Sequence, residues 1–205
     1  MRSMNESAAI RDPDLTRSRI LEAGFALFVE KGFADVAMRE IAERSGVTKS
    51  LIHHHFGSKD GLWNAVKEQA FALYAEDQRA DLEDADRPPD ELLRQGVISY
   101  FCFLRDNPQV VRLFAWTHLE GDEACGEIDA ELVRLGSERT RQGQEAGVFR
   151  DDINPVHVVT TFVITCTHWF EARTHHGQWP GIGTDQEFLD DFVKIFMRGL
   201  EPLHS

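Results

Sequence analysis

Nine histidines stand in this 205-residue chain, three of them consecutive at His53, His54 and His55. Imidazole is the side chain best suited to metal ligation, proton transfer and phosphate contact near neutral pH. Successive helical residues point about 100° apart, so three histidines in a row cannot close on one ion. A second set, His168, Glu171 and His175, recurs at i, i+3 and i+7 on one face of a helix, a spacing that could contribute to a divalent metal site. The same set also reads as a polar face near a helix C-terminus, where histidines interact favourably with the dipole. Catalysis is not expected. The chain has no G-x-S-x-G elbow, glycine-rich phosphate loop or H-E-x-x-H pair, and no Ser/His/Asp set is spaced to organise a nucleophile. Neither a cofactor nor a resident metal is expected. Cys102, Cys125 and Cys166 are odd in number and lack a C-x-x-C pairing, which suits buried thiols in a reducing compartment.

The charge is divided unevenly. The formal net charge of -13 argues, taken whole, against nucleic acid as a partner. Up to Ala65, however, nine Lys/Arg balance nine Asp/Glu, while the remaining 13 bases face 26 acids. The first third is neutral and the entire excess follows it, so the two parts have different electrostatic roles. No apolar run approaches the roughly 18–20 residues of a membrane span, and the polar start of the chain has no signal-peptide core, so a cytoplasmic protein is expected.

The elements that must position these groups are helices. Apolar residues recur at three- and four-residue steps, and no stretch shows strand alternation, which predicts an all-α chain of about nine helices. The spacing places them at 14–31, 38–44, 48–54, 59 to beyond 79, 87–105, 109–120, 123–146, 157–175 and 184–200. Gly32 ends the first as a left-handed residue, Thr48 and Ser58 cap the third and fourth, and Asn107-Pro108 and Asn154-Pro155 each pair an N-cap with a first-turn proline. Thr184 to Glu187 has the form of a capping box. Gly136 and Gly143 weaken the predicted continuity of the seventh helix.

Four blocks together resemble the DNA-binding domain of the TetR family of bacterial transcription regulators: Ile20 to Phe28, Lys31-Gly32-Phe33, Met38 to Lys49, and His55-Phe56-Gly57-Ser58-Lys59-Asp60-Gly61-Leu62. The similarity covers about 45 residues. Beyond Lys59 it is one of layout, with a long apolar helix after Asn154-Pro155. The resemblance implies an N-terminal three-helix helix-turn-helix domain at 12–64 and a larger helical ligand-binding and dimerisation domain at 65–205. It also implies a homodimer whose recognition helices enter successive major grooves of a pseudo-palindromic operator, with half-sites roughly 34–36 Å apart or a multiple of that. Carried over by position, Thr48, Lys49 and Ser50 open the recognition helix, with Lys49 as the main contact. His53 and His54 face DNA while His55 and Phe56 pack inward. Lys59 matches the family lysine that grips a phosphate, and Arg39 adds a backbone contact. Two positions depart from the pattern. His53 stands where a tyrosine is common, and Val36-Ala37 replaces the Thr or Ser that usually starts the second helix, removing its cap. Contacts centred on Lys49, His53 and Lys59 imply about three or four phosphates per subunit.

An acidic second domain does not bind DNA, but it can report on a small molecule of unidentified chemistry. Its candidate ligand-binding residues are Tyr74, Tyr100, Phe103, Trp116, His118, Phe162, Cys166, His168 and Trp169, of which the polar ones on apolar helices are the more telling. Phe162, Thr165, Trp169, Phe188, Phe192, Ile195 and Phe196 form two apolar faces expected at the dimer interface. The expected function is a repressor released by an effector. The alternatives are a metal-responsive regulator using the His168 face and a DNA-binding regulator with no effector.

Overall fold

The computed structural model describes residues 13–84, 86–123 and 126–202; Cys125 and the first twelve residues lie outside the described residues. Ten helices and no strand are found among the described residues, and the chain divides into two compact units, Met1–Val66 and Lys67–Ser205. The division falls inside a helix, two residues beyond the sequence-based boundary.

In the first unit, α1 (Pro13–Lys31) buries Ile20, Leu21, Leu27 and Phe28 and ends at Gly32 with φ 79°. Phe25 is only half-buried, and Leu27 takes the inward position. α2 (Met38–Ser45) and α3 (Lys49–Phe56) meet at Gly46, whose φ of 69° turns the chain while its N–H donates to the Ala42 carbonyl. Ala37 offers no side-chain cap, as its sequence requires, but half of the loss is made good. The Glu40 carboxylate accepts from the Ala37 N–H at 2.9 Å and from Lys31 Nζ at 2.5 Å, and both contacts hold it below the usual carboxylate range. Thr48 caps α3 by accepting from the Leu51 N–H at 3.4 Å, and its hydroxyl also meets Ser50 Oγ at 3.0 Å.

The α3 end and the start of α4 (Lys59–Glu83) are joined without slack. Gly57 has φ 73°, Ser58 Oγ accepts from the Gly61 N–H at 3.0 Å, and a Cβ on Gly61 would lie 2.1 Å from the Phe56 carbonyl oxygen. Behind this junction Leu62, Trp63 and Val66 are buried, with the Trp63 ring edge-on to Phe28 at 5.0 Å.

The second unit continues with α5 (Pro89–Asp106), α6 (Pro108–Leu119), α7 (Glu127–Glu145), α8 (Pro155–Glu171), α9 (Arg173–His176) and α10 (Asp185–Gly199). Proline occupies the first turn of α5, α6 and α8, where its missing N–H removes no helical bond. Asn154 caps α8 by accepting from the Val156 N–H, whereas Asn107 does not cap α6 and instead donates to the Phe103 carbonyl at 2.8 Å. Thr184 and Glu187 close a reciprocal capping box at α10. Two further predictions need correction. The single helix expected at 157–175 breaks at Ala172 (φ −98°, ψ 7°) into α8 and α9, which raises the count from nine to ten. Gly136 and Gly143 do not interrupt α7 but allow close packing: a Cβ would stand 3.3 Å from Val159 Cγ2 and 2.5 Å from the Phe149 ring. Phe101, Leu104, Val97 and Cys166 are wholly buried in the core, and burial pushes the Cys166 thiol up to about 12, so it packs as an inert apolar group. Among the described residues no helix is long and apolar enough to cross a membrane.

Glycine within a helix ordinarily costs about 0.5–1 kcal/mol relative to alanine. At Gly61 the sign reverses, because an added methyl collides with backbone that cannot rotate away. Gly61→Ala should destabilise the protein by about 1–3 kcal/mol. Thermal denaturation checks this, and an alanine variant melting at or above the parent temperature contradicts it.

Candidate functional site

The first unit presents one polar face. Thr48, Lys49, Ser50, His53 and His54 are all exposed along α3, while Ile52 is fully buried and His55 and Phe56 are half-buried, their rings 6.1 Å apart. The face divides at 3.6-residue periodicity. His53 is held in a defined state. Its Nδ1 lies 2.9 Å from the Gly57 carbonyl, which only accepts, so Nδ1 carries the proton and Nε2 faces outward. In the neutral ring Nε2 is an acceptor and repels a phosphate oxygen; in the imidazolium it becomes a second donor.

Three other cations of the unit are already engaged. Lys59 Nζ donates to the Ala34 carbonyl at 3.1 Å and stands 4.4 Å over the Phe33 ring, which ties the α1–α2 loop to the start of α4 and leaves two of its three N–H groups for another acceptor. Arg39, at the exposed start of α2, donates from Nε to Glu43 Oε1 at 2.7 Å. Arg17 lies over the Phe56 ring at 5.3 Å. Lys49 is therefore the cation placed most openly on the α3 face.

The second unit encloses a cavity of about 460 Å³ with walls from α4, α5, α6, α7 and α8. Of the residues expected there, Tyr74, Tyr100, His118, Phe162 and His168 line it. Phe103, Trp116, Cys166 and Trp169 do not. Phe103 stacks behind Tyr74 at 5.0 Å. Trp116 is off the α6 face that turns Phe114, Thr117 and His118 inward. Cys166 is sealed in the core, and Trp169 lies flat on Phe188 at 3.7 Å with its indole N–H donated to Asp185. Sequence reasoning missed several polar members of the wall, among them Gln78, Asp129, Arg139, Thr140 and Thr167. Gln78 carried a usable signal, because it falls one turn after Tyr74 on the same helix face. The Tyr100 hydroxyl pairs with Thr167 Oγ1 at 2.9 Å, and burial raises both the Tyr74 and Tyr100 phenols, so both remain neutral hydrogen-bonding groups. Asp129 stands at the exposed mouth, where its partly desolvated carboxyl is raised against the opposing pull of Lys67.

The metal reading loses its geometry. Because α8 ends at Glu171, His175 lies on α9 and the i+7 relation fails; Glu171 instead faces His118 Nδ1 at 3.4 Å and His168 Nδ1 at 3.8 Å. Among the described residues no group of three His, Cys, Asp or Glu is arranged to hold a metal ion. The expected dimer faces are also reduced. Phe162, Trp169 and Phe196 are buried in the chain's own core, Phe188 and Phe192 are half-buried, and Thr165 donates to the Thr161 carbonyl. Ile164 of α8 and Ile195 of α10 remain 61% and 71% exposed.

Comparison with known proteins gives this arrangement a family. Residues 20–66 match the family described as bacterial regulatory proteins, tetR family, and residues 89–191 match the tetracyclin repressor-like C-terminal domain. The HTH-type transcriptional regulator RutR of Escherichia coli is 30% identical, with 91% of each chain covered. The HTH-type transcriptional repressor NicS of Pseudomonas putida is 24% identical over 85% of this chain and 84% of its own. Among solved structures, AibR in complex with isovaleryl coenzyme A and operator DNA superposes with a TM-score of 0.64 at 21% identity, covering 88% of this chain and 97% of that one. With both domain types in order along one chain, an exposed α3 face in the first unit and a cavity in the second, this chain belongs to the TetR family of helix-turn-helix transcriptional regulators.

Proposed function

We propose that the chain is a cytoplasmic repressor that binds a pseudo-palindromic operator as a homodimer and is released when a small molecule fills the cavity. The observation that carries this reading is the dual use of α4. Its first turn carries Gly61 and Lys59, locked to the end of α3, and its later turns supply Phe71, Tyr74, Gln78 and Leu82 to the cavity wall. A ligand that prefers one position of this helix biases the position of the recognition helix, and a coupling of about 1–3 kcal/mol gives roughly a 5–150-fold change in operator affinity. AibR, whose structure holds both an acyl-coenzyme A and operator DNA, supports the pairing of the two sites by analogy of fold.

The proposed contacts are Thr48, Lys49, Ser50, His53 and His54 on α3, with Lys59 reaching a phosphate from the start of α4 through its unused N–H groups. Arg39 is a weaker candidate, because its pairing with Glu43 offsets its charge. The proposed partner-facing surface of the second unit centres on Ile164 and Ile195, flanked by the half-buried Phe188 and Phe192. The acidity of the chain after Ala65 limits non-specific attraction to DNA and leaves affinity to a few placed contacts.

Two measurements test the reading. Selection of binding sites by the purified protein from random duplex DNA should enrich an inverted repeat, and Lys49→Ala should weaken binding to it and shallow the salt dependence by about one to two phosphates per dimer; an unenriched pool or an asymmetric single site contradicts the proposal. Because the His53 Nδ1 proton is committed to Gly57, contact with phosphate requires protonation at Nε2. His53→Ala should therefore weaken operator binding and shallow its salt dependence. An unchanged affinity and salt slope in the variant remove His53 from the interface.

A further inference from the structure

The cavity has two chemically opposite ends. Asp129 and Arg139 lie ten residues apart on α7, about 15 Å along its axis. Glu171 belongs to the Asp129 end: Gln144 donates to the Ile153 carbonyl and Gly136 meets Val159, so α7 and α8 run antiparallel and Glu171 lies toward Asp129 and away from Arg139. Among the described residues, three buried side-chain nitrogen or oxygen atoms have no hydrogen-bond partner, and two of them, Glu171 Oε1 and Arg139 Nε, belong to residues of this wall. Between the ends the wall is mostly apolar, with Phe71, Phe114, Leu132, Val133 and Phe162 interrupted by a few neutral polar groups such as Tyr100 and Thr167.

Each end is held in place but electrostatically incomplete. The Glu171 side chain is 18% exposed, and the His118 imidazole at 3.4 Å reaches ion-pair distance without closing a hydrogen bond. Arg139 donates from Nη1 to Gln142 Oε1 at 2.9 Å and from Nη2 to the Asp84 and Arg87 carbonyls at 3.0 and 2.8 Å. Those acceptors are neutral, so they fix the guanidinium without balancing its charge. A buried charged atom left without a hydrogen bond is costly, and a ligand that donates to Glu171 and accepts from Arg139 recovers that cost twice on groups that need no reordering.

We propose that the cavity takes an elongated, mostly apolar ligand bearing a protonated nitrogen at the Glu171 end and a carboxylate or comparable acceptor at the Arg139 end. The proposal rests on the reading of this cavity as the effector site. A molecule with a single anionic head satisfies Arg139 alone and meets two carboxylates if reversed, so the two ends also set its direction of entry.

Titration calorimetry of the full-length protein with n-octylamine, n-octanoate and ω-aminooctanoate, three probes of one chain length, tests this directly. The two-headed probe should bind at least about tenfold more tightly than either single-headed one, and Glu171→Gln should reduce its advantage over octanoate to under about threefold. Equal affinities for the three probes, or a tenfold advantage retained in Glu171→Gln, overturn the proposal. The wild-type comparison decides even if the variant does not fold. Measuring operator affinity beside each titration separates the two readings. Tight two-headed binding that leaves operator affinity unchanged defeats the effector role and keeps the polarity, single-headed binding that releases operator does the reverse, and no binding by any probe defeats both.

Discussion

The close approach of Gly61 to the Phe56 carbonyl is the contact on which the rest of the molecule depends. A helix joined to the one before it by only two residues normally has freedom to swing at the joint. Here Gly57 turns the chain at a positive φ, Ser58 caps the next helix from inside the turn, and Gly61 brings α4 against the α3 backbone where no side chain fits. The exposed face of Thr48, Lys49, Ser50 and His53 is thereby carried by α4 as well as by α3. Lys59 strengthens the joint by holding the Ala34 carbonyl and the Phe33 ring. Its charge thus has a structural use before any phosphate is considered, which is a reason to place more weight on Lys49 for recognition.

Along the same helix the environment changes from the packed core around Trp63 and Val66 to a wall that faces empty space. Phe71, Tyr74, Gln78 and Leu82 recur at three- and four-residue steps, so one face of α4 lines the cavity through three turns. The buried phenols of Tyr74 and Tyr100 stay neutral and add hydrogen-bonding capacity without charge. The charges are displaced to the extremes of the cavity. That separation lets a mostly apolar centre coexist with ionised groups.

Much of this was legible in the sequence where a local rule had no competitor. Gly32 and Gly46, the Thr48 cap, the Thr184 box and the alternation of His53 and His54 with His55 and Phe56 follow from propensities that act within a few residues. The four blocks from Ile20 to Leu62 identified the family on the same short range. Reading failed where tertiary packing decides. Gly136 and Gly143 look like helix breakers until Val159 and Phe149 are seen pressed against them, and no local signal marks the break at Ala172 that removes His175 from the face of His168. Tyr74 and Tyr100 line the cavity while Trp169 and Cys166 pack in the core, a division the sequence hides because an aromatic or polarisable residue on an apolar helix reads alike in a wall and in a core. Arg139 and Asp129 were missed for the complementary reason, since a charged residue on a polar helix gives no sign that it turns inward.

The continuity of α4 is the claim on which the functional reading turns. It is tested most directly by inserting two glycines after Lys67 and measuring operator affinity in the parent and interrupted chains, with and without a compound that raises the melting temperature of both. The compound should weaken operator binding roughly 5–150-fold in the parent and less than about twofold in the interrupted chain. An interrupted chain that releases operator as fully as the parent would contradict transmission through α4.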